Sequence, residues 1–454
     1  MSRVVRQSKY RHVFGTPQKP ENCYTDIRLS TNQWDSNYIT CNTKFFAVCW
    51  EAAGGGSFAV VPWTQKGKLK ADYPLVSGHK GPVLDVDANP FNDCLFASAS
   101  EDGTAKIWKV PEDGLTETLR DAVQNLSGHK RKVGNVRWHP TANNVLATSS
   151  TDYTVKVWDV EKGAAKCHVD GHADIIQSID WNYEGSLLTT ACKDKKIRIV
   201  DPRTGQIVAE TAAHTGVKGS RSMWLGRTGK LFTVGFSRTS DRQYAVWDPS
   251  NIGTAVTQEN IDTGSGLLMP FYDPDSNIIF LAGKGDGNIR YYEVTDNGSK
   301  VYFLSQYQSS VPARGMAYYP KYGVDVGSCE ITRLIKATTT GVEPISFNVP
   351  RKEGLDVFQD DIYPPTAAPE PTVTADEWFG GKTVPPKQIS LEGGFVAREK
   401  PADFNPTEVK VAEDEGPATE KELRAEWRKQ KDRIAFLESE VAKKDALIKQ
   451  LQGN

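Results

Sequence analysis

Two short sequence marks return along this chain at a shared spacing, and no other feature constrains its fold as strongly. The first mark is a histidine in the sequences SGHK, SGHK, DGHA and AAHT, at His79, His129, His172 and His214. The second mark is an aspartate six residues before the end of a strand-like run, at Asp102, Asp152, Asp194, Asp241 and Asp286. Successive histidines are 50, 43 and 42 residues apart, and successive aspartates are 50, 42, 47 and 45 residues apart. Much of the chain therefore repeats one structural unit.

The repeated unit has the composition of a β-sheet blade. Its best example, STDYTVKVWDV, is rich in Thr, Tyr, Val and Trp, which favour strands. A period near forty residues with Gly-His and Trp-Asp marks is typical of a β-propeller. The roughly 330 residues between about 22 and 350 fit seven blades better than the five that carry marks. Because an open ring would leave a bare sheet edge, we expect one blade to be shared by the two ends of the chain.

The marked residues are predicted to be structural. In a blade, the histidine, a strand Ser or Thr, the turn Asp and the Trp form a buried hydrogen-bonded network that ties the strands together. We assign this network to His79, Asp102, Trp108, His129, Asp152, Trp158, His172, Asp194, His214, Asp241, Trp247 and Asp286. The chain has no GxSxG, HExxH or GxxxxGK[ST] motif and no metal-ligand spacing. We therefore expect no catalytic, cofactor-binding or metal-binding residues, and a protein that is not an enzyme.

Composition and charge exclude several classes of protein. The 454 residues carry a formal net charge of -2, which argues against bulk electrostatic binding to nucleic acid or a membrane. The seven cysteines are scattered and form no CxxC pair, which is typical of reduced intracellular thiols. The N-terminus lacks the apolar core of a signal peptide, and no apolar run is long enough to span a bilayer. We expect a soluble, intracellular, all-β protein with a helical C-terminus.

The composition divides the chain into four regions. Residues 1–350 form the predicted propeller. Residues 351–396 contain six prolines and the aromatic sequence ADEWF, and we interpret them as an extended arm packed on the propeller. Residues 397–418 are polar and are predicted to form a flexible linker. Residues 419–452 lack Gly and Pro and are predicted to form a coiled-coil oligomerisation domain.

The last region has the heptad pattern of a coiled-coil seam. Its core positions are spaced alternately four and three residues apart, at Leu423, Trp427, Gln430, Ile434, Leu437, Val441, Lys444, Ile448 and Leu451. We assign oligomerisation to Arg433, Ile434, Leu437, Glu438, Val441, Ile448 and Leu451. In the motif RIAFLE, Arg433 at position g can pair with Glu438 at position e of a neighbouring helix. This motif resembles the trimer-specifying pattern of short parallel coiled coils. It therefore predicts a homotrimer, with a dimer as the alternative.

Two basic clusters are candidates for binding a partner. They comprise Lys130, Arg131 and Lys132 after the second Gly-His mark, and Lys193, Lys195 and Lys196 around the third Asp mark. Both clusters fall in predicted loops, where the charges are either solvated or form a patch for an acidic surface. No run of aromatic residues for base stacking accompanies them, so we expect no nucleic-acid partner. An acidic protein polymer fits these patches as well.

Longer stretches make the chain resemble the coronins, which are actin-binding WD-repeat proteins. The resemblance runs nearly end to end and is carried by KYRHVFG, CYTDIRLS, WDSNY, EAAGGGSFAV, GHKRKVG, ACKDKKIRIVDPR, VGFSRTSDRQ, LLMPFYDPD, AGKGDGNIRYYE and FQDDIYP. It implies a propeller that binds filamentous actin, with Arg28 in CYTDIRLS as a contact. It also implies effects on the actin-related protein 2/3 complex and, with cofilin, on filament turnover at the cell cortex during motility, endocytosis and phagocytosis. Near the N-terminus, Ser2 matches a regulatory phosphorylation site of some members.

Two other functions stay open on the sequence alone. A generic WD-repeat scaffold or adaptor would present client proteins to another machine, and its propeller would not bind filaments. A nucleic-acid binder would use the basic loops, and its affinity would fall steeply with salt. Sedimentation with actin filaments separates both from the coronin-like function.

Overall fold

The computed structural model describes residues 7–351, 357–393 and 420–452 of the chain. These residues belong to two compact units, Met1–Pro406 and Thr407–Asn454. The predicted phosphorylation site at Ser2 and the predicted linker at 397–418 lie outside the described residues. Among the helices that the structure describes, none combines the length and the apolar composition that crossing a membrane requires.

Seven blades of mainly antiparallel β-sheet make up most of the first unit. The strands of blades 1 and 2 are Ile39–Cys41, Phe45–Cys49, Ser57–Pro62 and Val76–Ser77, then Val83–Ala88, Leu95–Ser100, Thr104–Lys109 and Gln124–Ser127. Those of blades 3 and 4 are Val133–Trp138, Val145–Ser150, Val155–Asp159 and Ala164–Val169, then Ile176–Trp181, Leu188–Cys192, Lys196–Asp201 and Gln206–Ala212. Those of blades 5 and 6 are Arg221–Trp224, Leu231–Phe236, Arg242–Trp247 and Ala255–Asp262, then Leu268–Asp273, Ile278–Gly283, Ile289–Val294 and Val301–Tyr307.

Blade 7 closes the ring with strands from both ends of the propeller sequence. Its strands are Gly315–Tyr318, Glu330–Ala337 and Gly341–Asn348, to which the N-terminal Phe14–Pro17 and Tyr24–Thr25 are added. Phe14 pairs with Asn348, and Tyr24 pairs with Val342. This is the shared blade that the sequence predicts, and it leaves no open gap in the ring. Short 3-10 helices occur at Pro20–Asn22, Gly226–Thr228, Pro249–Asn251, Lys321–Gly323 and Val326–Ser328, and a short strand at Gly67–Lys68.

The hydrophobic core is divided into layers between neighbouring blades. In blade 3, the second strand Val145–Ser150 is buried at every position, because other blades cover both of its faces. Trp138 and Trp158 of this blade pack with Ile107 of blade 2 in one apolar cluster. The first strands of successive blades lie against one another around the axis. Each blade is therefore held by its neighbours more than by a single central core.

The arm, residues 357–393, packs along one face of the propeller. Its strands Thr366–Ala367 and Gln388–Ile389 pair with each other, and its helix Ala375–Phe379 begins with a capping box formed by Thr374 and Glu377. Trp378 is fully buried, and its Nε1 donates a hydrogen bond to the Gly185 carbonyl at 3.0 Å. The aromatic residues in ADEWF thus anchor a segment whose prolines prevent long regular elements.

The described part of the second unit is one helix, Glu420–Gln452, of 33 residues. Five side chains of the predicted seam are between 47% and 61% exposed in the single chain: Leu423, Trp427, Ile434, Leu437 and Val441. A row of exposed apolar side chains at heptad spacing favours association with further helices. Ile448 and Leu451 lie on the same helix, and their side chains lie outside the described part.

Candidate functional site

The propeller has two unlike faces. On one face, the turns between second and third strands meet the loops that join one blade to the next: the Lys80 backbone N donates to Asp102 Oδ2 at 2.9 Å, and the Lys130 backbone N to Asp152 Oδ2 at 2.8 Å. We call this the turn face. The opposite face carries the loops between first and second strands, and the arm packs there through Thr372 N, which donates to the Thr141 carbonyl at 2.9 Å. We call it the arm face.

All the predicted partner-binding residues of the propeller lie on the turn face. Lys130, Arg131 and Lys132 occupy the loop between blades 2 and 3. Lys193 and Lys195 occupy the turn of blade 4, and Lys196 begins the strand that follows this turn. Arg28 follows the N-terminal strand Tyr24–Thr25, and its carbonyl accepts a hydrogen bond from Glu51 N at 2.7 Å in the turn of blade 1. The fold thus brings three sequence-distant basic segments to one side of the ring.

The basic residues differ in how free their side chains are. Lys132 forms an ion pair with Glu101 at 2.8 Å, Lys195 Nζ donates to the Thr215 carbonyl at 2.9 Å, and Lys196 pairs with Glu210. Among the residues that the structure describes, four exposed cations of the predicted set form no side-chain hydrogen bond or ion pair: Arg28, Lys130, Arg131 and Lys193. A partner can reach these four without first breaking an intramolecular contact.

Sequence reasoning missed two lysines on this face. Lys80 is exposed and follows SGH exactly where Lys130 follows the next SGH, so the repeated GHK was a usable signal. Lys218 lies in the loop between blades 4 and 5, where its Nζ is 4.7 Å from the centre of the Phe236 ring. The neighbouring Val217 is 82% exposed, which places an apolar tip beside the basic residues. No motif marks Val217 or Lys218, because loop sequences do not follow the repeat.

A segment that we call the strap, residues 28–38, crosses the turn face from Arg28 to the first strand of blade 1. Trp34 Nε1 donates to the Gly134 carbonyl of blade 3 at 2.8 Å, and Lys284 Nζ of blade 6 donates to the Trp34 carbonyl at 2.7 Å. Arg314 Nε, before blade 7, donates to the Ser30 carbonyl at 3.0 Å. The strap is therefore held from several sides of the ring, and it positions Arg28 at its start.

An axial cavity of about 580 Å³ lies beneath the strap. Asp87 and Asp180 line it, and burial raises the pKa of each carboxyl to about 7. Each carboxylate has a structural partner, because Asp87 Oδ2 accepts from Trp138 N and Asp180 Oδ2 accepts from Trp224 N, both at 2.8 Å. These bonds join one blade to the next. The acids therefore stabilise the ring rather than forming a reactive pair.

Blades 2 and 3 contain the predicted four-residue network. In blade 2, His79 Nδ1 lies 2.9 Å from Asp102 Oδ2, His79 Nε2 lies 2.7 Å from Ser98 Oγ, and Trp108 Nε1 donates to the same hydroxyl at 2.8 Å. Burial raises the pKa of the Asp102 carboxyl, but hydrogen bonds from His79 and Thr104 outweigh it and hold the pKa well below its usual range.

Blade 3 repeats this arrangement. His129 bridges Asp152 at 3.1 Å and Thr148 at 2.8 Å, and Trp158 Nε1 donates to Thr148 at 2.8 Å. The two blades thus share one geometry despite their different loops. With all their polar atoms paired in a dry site, these groups have a structural role.

The marks of blades 4 to 6 depart from the prediction. Asp194 pairs with Arg198 at 2.5 Å instead of with His172, whose Nε2 contacts Thr190 at 2.9 Å. Asp241 accepts hydrogen bonds from Ser237 and Thr239 in its own turn. The physical reason is competition, since a nearby Arg or turn hydroxyl reaches the carboxylate first.

The remaining contacts of blades 5 and 6 show which parts of the predicted four-residue network are present there. Asp286 pairs with Arg242 of blade 5 at 2.6 Å. His214 Nε2 and Trp247 Nε1 both contact Thr233, at 3.0 and 2.9 Å. The histidine, hydroxyl and tryptophan thus persist in blade 5, whereas the aspartate of blade 6 joins two blades.

Comparison with known proteins identifies the family. The chain is similar to Coronin-A of Dictyostelium discoideum, with 53% identity over 451 residues that cover 99% of this chain and 100% of the relative. The chain belongs to the coronin family. A solved WD40 domain of Toxoplasma gondii coronin has 34% identity to it and a TM-score of 0.79, covering 84% of this chain and 97% of that one.

Family models and a more distant structure agree with the propeller. The WD domain, G-beta repeat, matches residues 72–109, 120–159 and 165–201 of this coronin, and a further type of WD40 repeat matches residues 342–386. A domain of unknown function (DUF1899) matches residues 3–68, which include Arg28 and the strap. A chain of the mitotic checkpoint complex, 15% identical with a TM-score of 0.56 over 78% of this chain and 98% of that one, shares the fold alone.

The groups available to a partner on the turn face differ from those buried in the blades. The described residues of this coronin contain no group of three or more His, Cys, Asp or Glu side chains arranged to hold a metal ion. The buried histidines and acids described above are engaged in joining strands and blades. The unpaired cations of the turn face, in contrast, are available to a partner.

Proposed function

We propose that this coronin is a cytoplasmic regulator of actin filaments and binds them through its turn face. The observation that carries the proposal is the gathering of four unpaired, exposed cations, Arg28, Lys130, Arg131 and Lys193, on the face that the described arm leaves open. An acidic polymer surface complements such a patch. The membership of the coronin family supports the same partner.

Arg28 is the central contact in this proposal. Its guanidinium is planar, always charged and able to bind a carboxylate through two hydrogen bonds, whereas the lysines supply point charges. The paired residues Lys132, Lys195 and Lys196 would contribute less, because binding must compete with their existing partners. The other cations of the turn face therefore raise the association rate and fix the orientation of the propeller.

The C-terminal helix would multiply the affinity of the propeller. Association through Ile434, Leu437, Val441, Ile448 and Leu451, with Arg433 and Glu438 paired across the seam, would join several propellers in one particle. Propellers on one oligomer bind a repetitive filament more tightly than one alone, provided that the linker spans the subunit spacing. We propose a homotrimer, with a dimer as the alternative, and expect it to crosslink or bundle filaments.

The cellular part of the proposal follows the family. We propose that the protein acts at the actin cytoskeleton of the cell cortex, where it modulates branching by the actin-related protein 2/3 complex and filament turnover with cofilin. Motility, endocytosis and phagocytosis are the processes concerned. Phosphorylation of Ser2 would add about two negative charges to the basic N-terminus and weaken binding to an acidic partner.

Sedimentation with actin filaments tests the proposal. The full chain should pellet with filaments, Arg28→Asp should stay in the supernatant, and a chain ending at Pro417 should pellet weakly. The control is Lys300→Asp, because Lys300 is exposed in a loop of blade 6 on the arm face and undergoes the same change in charge. If the full chain does not pellet at moderate salt, the adaptor function replaces this proposal.

A further inference from the structure

Glu51 holds the segment that carries Arg28 at two points. Its backbone N donates to the Arg28 carbonyl at 2.7 Å. Its carboxylate Oε2 accepts hydrogen bonds from Thr31 N at 2.6 Å and from Thr31 Oγ1 at 2.8 Å. One residue of blade 1 therefore fixes both ends of the four-residue segment from Arg28 to Thr31.

Glu51 itself is held firmly by its turn. It begins the sequence EAAGGG, in which Gly54, Gly55 and Gly56 have φ between 71° and 83°. A Cβ at Gly56 would lie 2.2 Å from the His79 carbonyl oxygen, so this turn packs directly on the loop before blade 2. A turn in such close contact gives Glu51 a fixed position from which to hold the strap.

The rest of the segment leaves the Arg28 side chain free. Ile27 N donates to the Thr340 carbonyl at 3.1 Å, and Ser30 N donates to the Cys49 carbonyl at 2.9 Å. These bonds fix the backbone on either side, whereas the exposed guanidinium has no partner among the described residues. The direction in which Arg28 points thus depends on the backbone between residues 28 and 31. Hydrogen bonds from Thr31 also lower the pKa of Glu51, which keeps its carboxylate ionised near neutral pH.

We propose that Glu51 is a positioning residue for filament binding, which acts by holding Arg28 in its binding orientation. The inference rests on the proposed function, since it requires Arg28 to contact the filament. It predicts that removing the Glu51 carboxylate changes the affinity for filaments in the direction opposite to the one expected from charge alone. Removing a negative charge from a face that meets an acidic partner should strengthen binding electrostatically. If Glu51 acts through Arg28, its removal weakens binding instead.

A double-mutant cycle in the full-length chain tests this inference. The variants are Glu51→Ala, Glu51→Gln, Arg28→Ala and the double alanine variant, and the readout is the Kd for actin filaments. Glu51→Ala should bind about tenfold more weakly, the effect of one strong hydrogen-bonded contact. Glu51→Gln, whose amide oxygen still accepts from Thr31, should stay within about twofold of the wild type. The double variant should have the same Kd as Arg28→Ala, because without the Arg28 guanidinium Glu51 has no side chain to orient.

Two further variants separate positioning from folding. Glu112→Ala removes an exposed glutamate on the arm face, where it pairs with Lys44, and should leave the Kd unchanged. Thr31→Val removes one of the two donors to Glu51 and should weaken binding even if Glu51→Ala folds poorly. Thermal unfolding of each variant identifies a general loss of structure.

The outcomes distinguish this inference from the proposed function. If Arg28→Ala binds like the wild type, the Arg28 contact itself is wrong, and the role of Glu51 is overturned with it. If Arg28→Ala binds weakly but Glu51→Ala binds normally or more tightly, only the positioning role is overturned. Additive effects in the double variant likewise overturn it.

Discussion

At the residue scale, the neighbours of an aspartate decide whether it joins the network of its blade. Asp102 and Asp194 occupy equivalent turns, and each is near a histidine in the fold. Asp102 forms a hydrogen bond with His79 at 2.9 Å, whereas Asp194 forms an ion pair with Arg198 at 2.5 Å. The blade that loses this contact also has Val200 where blades 2, 3 and 5 have Trp. We therefore expect the marked aspartate to contribute differently to the free energy of unfolding in different blades.

The first stability prediction compares two marked aspartates. Asp102→Ala should destabilise the propeller by about 2 kcal/mol, because it leaves the buried His79 and the partly buried Thr104 without their shared hydrogen-bond partner. Asp241→Ala should have a much smaller effect, since Asp241 bonds only to hydroxyl and backbone groups of its own exposed turn. Denaturant unfolding of the two variants measures the difference. Equal losses would show that the geometry of the network does not determine its contribution.

The sequence period could place these aspartates but not their partners. The spacing of the sequence marks predicts where each turn falls along the chain, and the number of blades follows from that spacing and the length of the repeat region. The partner of a carboxylate depends on which donor lies nearest in three dimensions. Arg242 illustrates this, because it pairs with Asp262 of its own blade and Asp286 of the next. No repeat pattern contains that information.

At the element scale, one aromatic side chain fastens the arm to the propeller. Trp378 is fully buried, its ring lies 4.9 Å from His139 and 5.6 Å from Trp181, and Arg203 stacks over it at 4.4 Å. Burial lowers the pKa of His139 to about 3, so its neutral ring can accept the backbone N–H of Ala142 at 2.7 Å. The aromatic content of ADEWF was therefore a sound signal for packing, although its binding pocket was not visible in the sequence.

Removing this side chain should release the arm. Trp378→Ala should lower the free energy of unfolding by about 3 kcal/mol and speed trypsin cleavage after Lys382 and Lys387, which lie in the arm. Phe379→Ala is the matched control, since Phe379 is only partly buried beside Trp378. Limited proteolysis followed by mass spectrometry gives both rates. Unchanged cleavage in Trp378→Ala would mean that other contacts hold the arm.

At the scale of the whole molecule, the fold places basic residues that are distant in the sequence on one face of the ring. The sequence alone could not show that they share a face. Arg28, Lys130 and Lys193 are more than 160 residues apart from first to last, yet they share the turn face. Closure of the ring through the N-terminal strands places the first of them on the same face as the others. The basic clusters could be found from the composition of the sequence. Predicting that they lie on one face requires the arrangement of the strands and blades in the ring.

The oligomer prediction also belongs to this scale. Replacing both Ile434 and Leu437 with Ala should abolish association of the C-terminal helix and lower filament bundling, because the seam loses its apolar contacts. Phe436→Ala is the control, since Phe436 is 55% exposed and lies between the two seam residues at an outer heptad position. Analytical ultracentrifugation measures the mass of each variant. A trimer that persists in the double variant would show that the seam is assigned wrongly.

The closure of blade 7 has a consequence for biosynthesis. Phe14 pairs with Asn348, so during translation the strand Phe14–Pro17 waits for a partner that is 334 residues further along the chain. At typical elongation rates this wait lasts roughly 20 to 60 s. During that time the nascent chain exposes two unpaired strand edges, and the ring is complete only once its last blade has been translated. Truncated translation products should therefore aggregate and depend on chaperones, whereas the finished chain does not expose these edges.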